Sequence, residues 1–197
     1  MRIVLASGNA GKLAELEQLL GDSGIELVAQ STLGVDDAEE TGLTFVENAL
    51  IKARHAARVT GLPSLADDSG ICVDALGGAP GLYAARYAGT HGDNAANRAK
   101  LLRELDGVPM ERRGAHFIAV LVLLRHAEDP APLIAEARWH GRILESERGT
   151  GGFGYDPLFL PDGYEASAAE LDPALKNRLS HRGQALALLK ARLSNLT

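Results

Sequence analysis

The chain has 197 residues, of which 46% are hydrophobic and 23% charged, and its formal net charge is -6. This length can bury a substantial core in one domain, alone or with a modest second lobe, and the composition suggests neither a disordered nor a membrane class. The acidic balance argues against a broad nucleic-acid or anionic-membrane surface, so an anionic ligand has to be met by local positive charge.

Short apolar runs alternate with helical patterns, which predicts an α/β layer architecture. Residues 2–6 read as a first strand and residues 11–20 as a helix with leucines at 13, 16, 19 and 20, ended by the segment 21–24. A second strand is expected at 25–29. Thr44 and Glu47 form a candidate capping box for a helix running through Ala49, Ala53 and Ala56 to a stop at Gly61 and Pro63. The apolar stretch 62–66 then enters the core and ends in charge, in the string LADDSG at 65–70. Residues 71–76 and 82–87 read as strand-like or irregular, on either side of the turn-rich GGAPG. A helix is expected at about 94–105, residues 116–124 are the longest β-branched and apolar run, and 133–143 reads as its hairpin partner. A last helix carries Leu186, Leu189 and Leu193. Cys72, the only cysteine, reads as a core packing residue; with no internal disulfide, a reducing compartment fits. The first apolar run is too short for a signal peptide and no stretch reaches transmembrane length, so a single cytoplasmic domain over 1–197 is expected.

Three strings carry candidate chemistry. Asp67 and Asp68 read either as an acidic site at the carboxyl edge of a sheet or as part of a solvated Asp-Asp-Ser-Gly turn. Adjacent anions repel and need a cationic partner; Mg²⁺ suits, since it takes one or two carboxylates plus phosphate oxygens. SGNAGK at 7–12 reads as a phosphate-receiving loop at a helix amino end or as a plain turn. It is not a Walker A loop, because only two residues separate Gly8 from Gly11 and Leu13 stands where a Ser or Thr belongs. GTGGFG at 149–154 has the letters of a dinucleotide fingerprint, but Pro157 soon follows and opposes the helix such a site needs. What remains is a mobile or tightly turning loop presenting Phe153, Tyr155 and Asp156, with Phe153 either a packing residue or a base platform.

Lys176 and the string SHRG at 180–183 concentrate positive charge before the last helix, and a continuous helix would bring Lys176 and Ser180 to one face. The remaining histidines show no zinc spacing, and no G-x-S-x-G string is present.

Taken together, SGNAGK, the segment 39–57, LADDSG, GGAPGLYAARYAG, GTGGFGYDPLF and SHRGQAL resemble, in order and over nearly the whole chain, the inosine triphosphate pyrophosphatase family. This is the dITP/XTP pyrophosphatase group that clears non-standard purine nucleotides. The resemblance implies a mixed central β-sheet flanked by helices, with two lobes around a nucleotide cleft, and a homodimer. It implies Mg²⁺-dependent cleavage of ITP, dITP, XTP and dXTP to the monophosphate and pyrophosphate. By the same resemblance, Ser7, Gly8, Asn9, Ala10, Gly11 and Lys12 would hold the triphosphate, Glu40 and Asp68 would face the metal, and Asp68 would accept the proton of the attacking water. Ser69 would contact substrate. Phe153 would stack on the purine, with Gly154, Tyr155 and Asp156 lining its pocket, and Lys176, His181 and Arg182 would complete the site, the last two near the base edge. Asp67 would bind metal through water or tune its neighbour. Two other readings stand beside this one: a related pyrophosphatase acting on modified pyrimidine or standard nucleotides, and a nucleotide-binding regulatory module without turnover. The complete acidic set argues against the second.

Overall fold

The computed structural model describes residues 1–21 and 24–194. Ile3, Val4 and Leu5 are buried on both faces, the pattern of a central parallel strand. They form β1 (Arg2–Leu5), which pairs in parallel with β2 (Glu26–Ala29) and with the start of β3 (Ser64–Val73), Leu5 opposite Ala29 on one side and Leu65 on the other. With β4 (Gly114–Leu124), β5 (Leu133–Ile143) and β6 (Phe159–Pro161) they make one six-stranded sheet in the order β2-β1-β3-β4-β5-β6. β5 and β6 are antiparallel, so the sheet is mixed, as expected. The short β6 has no counterpart in the sequence reading, since three residues carry too little pattern to mark a strand.

Among the described residues five α-helices accompany the sheet: α1 (Ala10–Leu20), α2 (Phe45–Thr60), α3 (Asn94–Glu104), α4 (Pro173–Leu179) and α5 (His181–Ser194). α1 ends at Gly21; residues 22 and 23 of its expected terminator lie outside the described residues. α2 starts on the expected cap, with Thr44 Oγ1 accepting the Glu47 N–H at 3.3 Å while the Glu47 carboxylate accepts from the Leu43 N–H and the Thr44 hydroxyl. It buries Ala49, Ala53, Ala56 and Ala57, a stripe of small side chains that lets the helix approach its neighbours closely. It stops at Gly61, whose φ of 69° only glycine adopts readily.

The chain divides into two compact units, with the unit boundaries falling inside β3, β4 and β5 and after the first residue of α5. The first comprises Met1–Asp68, Ala119–Ala137 and the chain from Arg182 onward, and its core includes Ile3, Leu5, Leu16, Leu65, Leu121, Leu186 and Leu189. The second comprises Ser69–Ile118 and Arg138–His181. Its core is aromatic at the centre, where Phe159 packs against Phe117 and Trp139 with ring centroids 4.7 and 5.1 Å away. No helix among the described residues is long and apolar enough to cross a membrane.

Several local expectations are corrected. LADDSG is neither a turn nor a strand end: β3 runs through it, and Asp67 and Asp68 are buried in mid-strand. Residues 71–73 complete that strand, and 3₁₀ turns occupy Asp74–Leu76 and Gly81–Arg86. Cys72 is half-buried, because it alternates with the buried Ile71 and Val73 and so lies on the other strand face. The helix carrying Lys176 does not continue through Ser180: α4 ends at Leu179 and Ser180 caps it, its N–H donating to the Lys176 carbonyl at 2.8 Å, and His181 and Arg182 open α5 instead of preceding it.

Candidate active site

The first unit gathers seven charged side chains around the middle of β3. Alternation along the strand sends Asp67 and Asp68 to opposite faces, and each meets its own cations. Asp67 is fully buried; its Oδ1 lies 2.7 Å from Lys12 Nζ and its Oδ2 accepts a 2.7 Å hydrogen bond from Arg182 Nε. Arg182, itself buried, also donates through Nη1 to Glu15. On the other face Lys52 Nζ lies 2.6 Å from Asp68 and 3.0 Å from Glu40. Both ammonium groups also donate to the Asp67 carbonyl, Lys52 at 3.0 Å and Lys12 at 3.2 Å. The mutual repulsion foreseen from sequence is thus relieved by the chain's own lysines and arginine.

The charges respond to this setting. Burial alone would raise the Asp67 pKa, but Arg182 and Lys12 beside it hold the carboxyl well below the usual range. Asp68 has one close cation, and there burial prevails and pushes its carboxyl up. Lys12 is lowered by burial despite Asp67, whereas Asp68 and Glu40 overcome burial and raise Lys52.

Local structure explains how these groups are held. Ser7 to Lys12 bridge β1 and α1: Asn9 caps the helix by accepting the Lys12 N–H at 3.1 Å, and its own N–H donates to Ser7 Oγ at 3.2 Å. The first turn of α1, with Ala10 and Gly11, presents amide N–H groups that lack intrahelical acceptors. Glu40 sits in the loop before α2, which is tied to the helix by Gly42 N–H donating to the buried Asn48 Oδ1 at 2.8 Å. Lys52 and Glu15 were not singled out from sequence. Lys52 could have been, since it lies next to Ala53 and three residues from Ala49 on the small-residue face of α2; Glu15 gave only an i,i+3 spacing to Lys12 on α1.

Glu40 and Asp68 converge on one ammonium, so their oxygens could equally face one hard divalent cation. Such an ion needs only one or two carboxylates when water and phosphate oxygens complete its shell. Among the described residues no three His, Cys, Asp or Glu gather into a metal cage. The donor chemistry fits a cation shared with a phosphate ligand.

The second unit holds the remaining predicted residues. Ser69 follows Asp68 along β3 and is partly exposed. The glycine-rich segment is a tied turn: Gly151 N–H donates to the Ala169 carbonyl at 3.1 Å and Arg98 Nη1 to the Gly154 carbonyl at 2.9 Å. Phe153 is half-buried. Asp156 is buried, accepts the Phe153 N–H at 2.8 Å and lies 2.7 Å from the buried Lys176 Nζ. That ammonium sits 5.2 Å from the Phe153 ring centroid. Tyr155, expected on a presented loop, turns inward instead, and its hydroxyl donates to the Ala84 carbonyl at 2.8 Å. His181 is buried and stacks on Phe117 at 4.8 Å with the rings 9° from parallel.

A helix amino end, two lysines, an arginine and paired acids around a mid-strand carbonyl define a class of α/β protein that can gather phosphate oxygens about fixed charges. Within that class the chain belongs to the Ham1 family, whose model it matches over residues 3–192. It is 65% identical over 195 residues to a dITP/XTP pyrophosphatase of Xanthomonas campestris pv. campestris, covering 99% of this chain and 98% of that protein. Among solved structures, a HAM1 protein from Coxiella burnetii is 50% identical with a TM-score of 0.91, covering 99% of both chains. A nucleoside-triphosphatase / dITP/XTP pyrophosphatase from Mycobacterium abscessus is 49% identical with a TM-score of 0.76, covering 96% of this chain and 98% of that one.

Proposed function

We propose that the chain, acting as one catalytic domain over 1–197, hydrolyses ITP, dITP, XTP and dXTP to the nucleoside monophosphate and pyrophosphate, keeping these nucleotides out of nucleic acid. The observation that carries the chemistry is the part-buried set in which Lys12 and Lys52 meet at the Asp67 carbonyl and Glu40 and Asp68 meet at Lys52. The near-complete match to dITP/XTP pyrophosphatases supports the substrate class.

In the reaction a water oxygen bonds to the α-phosphorus, the bond from that phosphorus to the bridging oxygen breaks, and pyrophosphate leaves with the electron pair. Asp68 orients the water and accepts its proton. Ser7 to Lys12 receive the triphosphate through amide N–H groups and the Lys12 ammonium. Lys52 neutralises further charge beside Asp68. Glu40 and Asp68 are the residues to hold Mg²⁺, which when bound supplies Lewis-acid neutralisation of phosphate charge.

The second unit supplies base recognition. Phe153 offers a ring for stacking, and Ser69, Gly154, Tyr155, Asp156, Lys176 and His181 shape or contact the base pocket; the base-edge role of Arg182 is taken from the family resemblance alone. Donors aimed at a 6-oxo group face the wrong partner in the 6-amino group of adenine, which can discriminate by roughly 10⁴-fold. The working unit is read as a homodimer from the family resemblance alone, and as cytoplasmic from the lone Cys72 and the short first apolar run.

The deciding experiment is a panel of triphosphates with Mg²⁺. Pyrophosphate, and no orthophosphate, is expected from ITP, dITP and XTP far faster than from ATP, GTP or pyrimidine triphosphates. Equal rates on ATP would remove the specificity, and binding without turnover would favour a regulatory module.

A further inference from the structure

Beneath Phe153 lies a compact support made of two residues, Asp156 and Lys176. Asp156 turns its carboxylate back under the loop, and one oxygen, Oδ2, both accepts the Phe153 N–H and pairs with Lys176. The space that the carboxylate occupies belongs to Gly152. A Cβ at residue 152 would overlap that oxygen and come within 2.9 Å of Asp156 Cγ and 3.1 Å of its Cβ. Gly152 also has a φ of 69°. Gly154 in the same loop has a φ of 62°, yet a Cβ there would meet nothing within 4 Å. The two glycines therefore separate two needs: residue 154 requires backbone freedom alone, and residue 152 requires backbone freedom and empty space.

We infer that Gly152 is a positioning residue for nucleobase recognition: its missing side chain admits the Asp156 carboxylate that holds Phe153 and Lys176 in one arrangement. Asp156 and Lys176 are buried and Phe153 is half-buried, so the ring is the member of the three left accessible to a flat ligand. A ring set before the ligand arrives spares the binding step the entropy of ordering it. This inference rests on the reading of Phe153 as the purine platform.

The test compares Gly152→Ala with Gly163→Ala, a glycine outside the assigned site whose φ is 80° and whose added Cβ would meet nothing within 4 Å. Gly152→Ala is expected to raise KM for ITP about tenfold with kcat within about threefold, whereas Gly163→Ala moves KM less than about threefold. In the unliganded protein, amide hydrogen exchange at Phe153 should quicken about tenfold in Gly152→Ala and stay unchanged in Gly163→Ala. On an Asp156→Ala background, which already lacks the carboxylate, adding Gly152→Ala should change KM less than about twofold. Additive losses in the double variant, or equal exchange at Phe153 in the two glycine variants, would overturn the inference. If Gly152→Ala alone does not fold, recovery of folding in the double variant supports it and continued failure sinks it. Should the wild-type protein not turn over ITP, the proposed substrate falls, while the exchange comparison still decides the support beneath Phe153.

Discussion

Arg182 Nε donates to Asp67 Oδ2 at 2.7 Å in the interior of the first unit, 115 positions apart in sequence. Asp67 neutralises Arg182 and Lys12 at once, and this places it in the scaffold of the charged centre, behind the groups assigned to phosphate and base. Removing one member of a buried pair strands the other, at a cost of about 3 kcal/mol or more. Asp67→Asn should therefore lower unfolding stability in urea by about that amount, and more than Glu15→Gln does, since Glu15 is partly exposed and is seen to pair with Arg182, whereas Asp67 is fully buried between Arg182 and Lys12. Equal stabilities of the two variants would show that Asp67 does not organise the cluster.

Asp68→Asn tests the chemistry on the other strand face. The substitution keeps shape and leaves Lys52 its second carboxylate, Glu40, so the fold should persist with a similar melting temperature. Turnover of ITP should fall about 100-fold or more, the usual range for loss of a positioned proton acceptor. Near-normal pyrophosphate release by a folded variant would take Asp68 out of the mechanism.

The connection between β4 and β5 yields a pH prediction remote from the charged centre. Asp129 accepts from Arg125 through the backbone N–H at 3.0 Å, Nε at 2.8 Å and Nη2 at 2.6 Å, and from the Ala131 N–H at 3.0 Å. The Arg125 side chain, with these amides, pulls the Asp129 carboxyl well below its ordinary value. A carboxyl lowered in the folded state stabilises the protein at pH above its unfolded pKa, about 3.9, and loses that contribution as pH falls toward the folded value. Asp129→Asn should therefore be less stable than wild type at pH 7, with the gap narrowing steadily below about pH 4. A gap that is constant from pH 7 to pH 3, measured by denaturant unfolding, would exclude the linkage.

Much of the architecture was legible because it is written in local periodicity. Burial alternates along β5, where Ala135, Ala137, Trp139 and Ile143 are buried between exposed neighbours, and its bounds match the expected ones. The Thr44 cap and the Gly61 stop likewise bracket α2 where short-range chemistry placed them. The break between α4 and α5 was not legible, since no proline stands near Ser180 and the one nearby glycine, Gly183, falls inside α5 and not at the break.

The sequence by itself determined the ordered motifs, the family they mark and the apolar patterns that build strands and helices, because those signals lie between near neighbours. Only the tertiary structure decided the state of LADDSG. Charge and turn-forming residues argue locally for a strand end, and what reverses that argument arrives from α1, α2 and α5: Lys12, Lys52 and Arg182 make it possible to bury Asp67 and Asp68 in mid-strand. The same holds for Gly152, whose importance lies in the Asp156 carboxylate beneath it. Buried charge is permitted by its partners, and where those partners come from separate elements, no single stretch of sequence displays the reason.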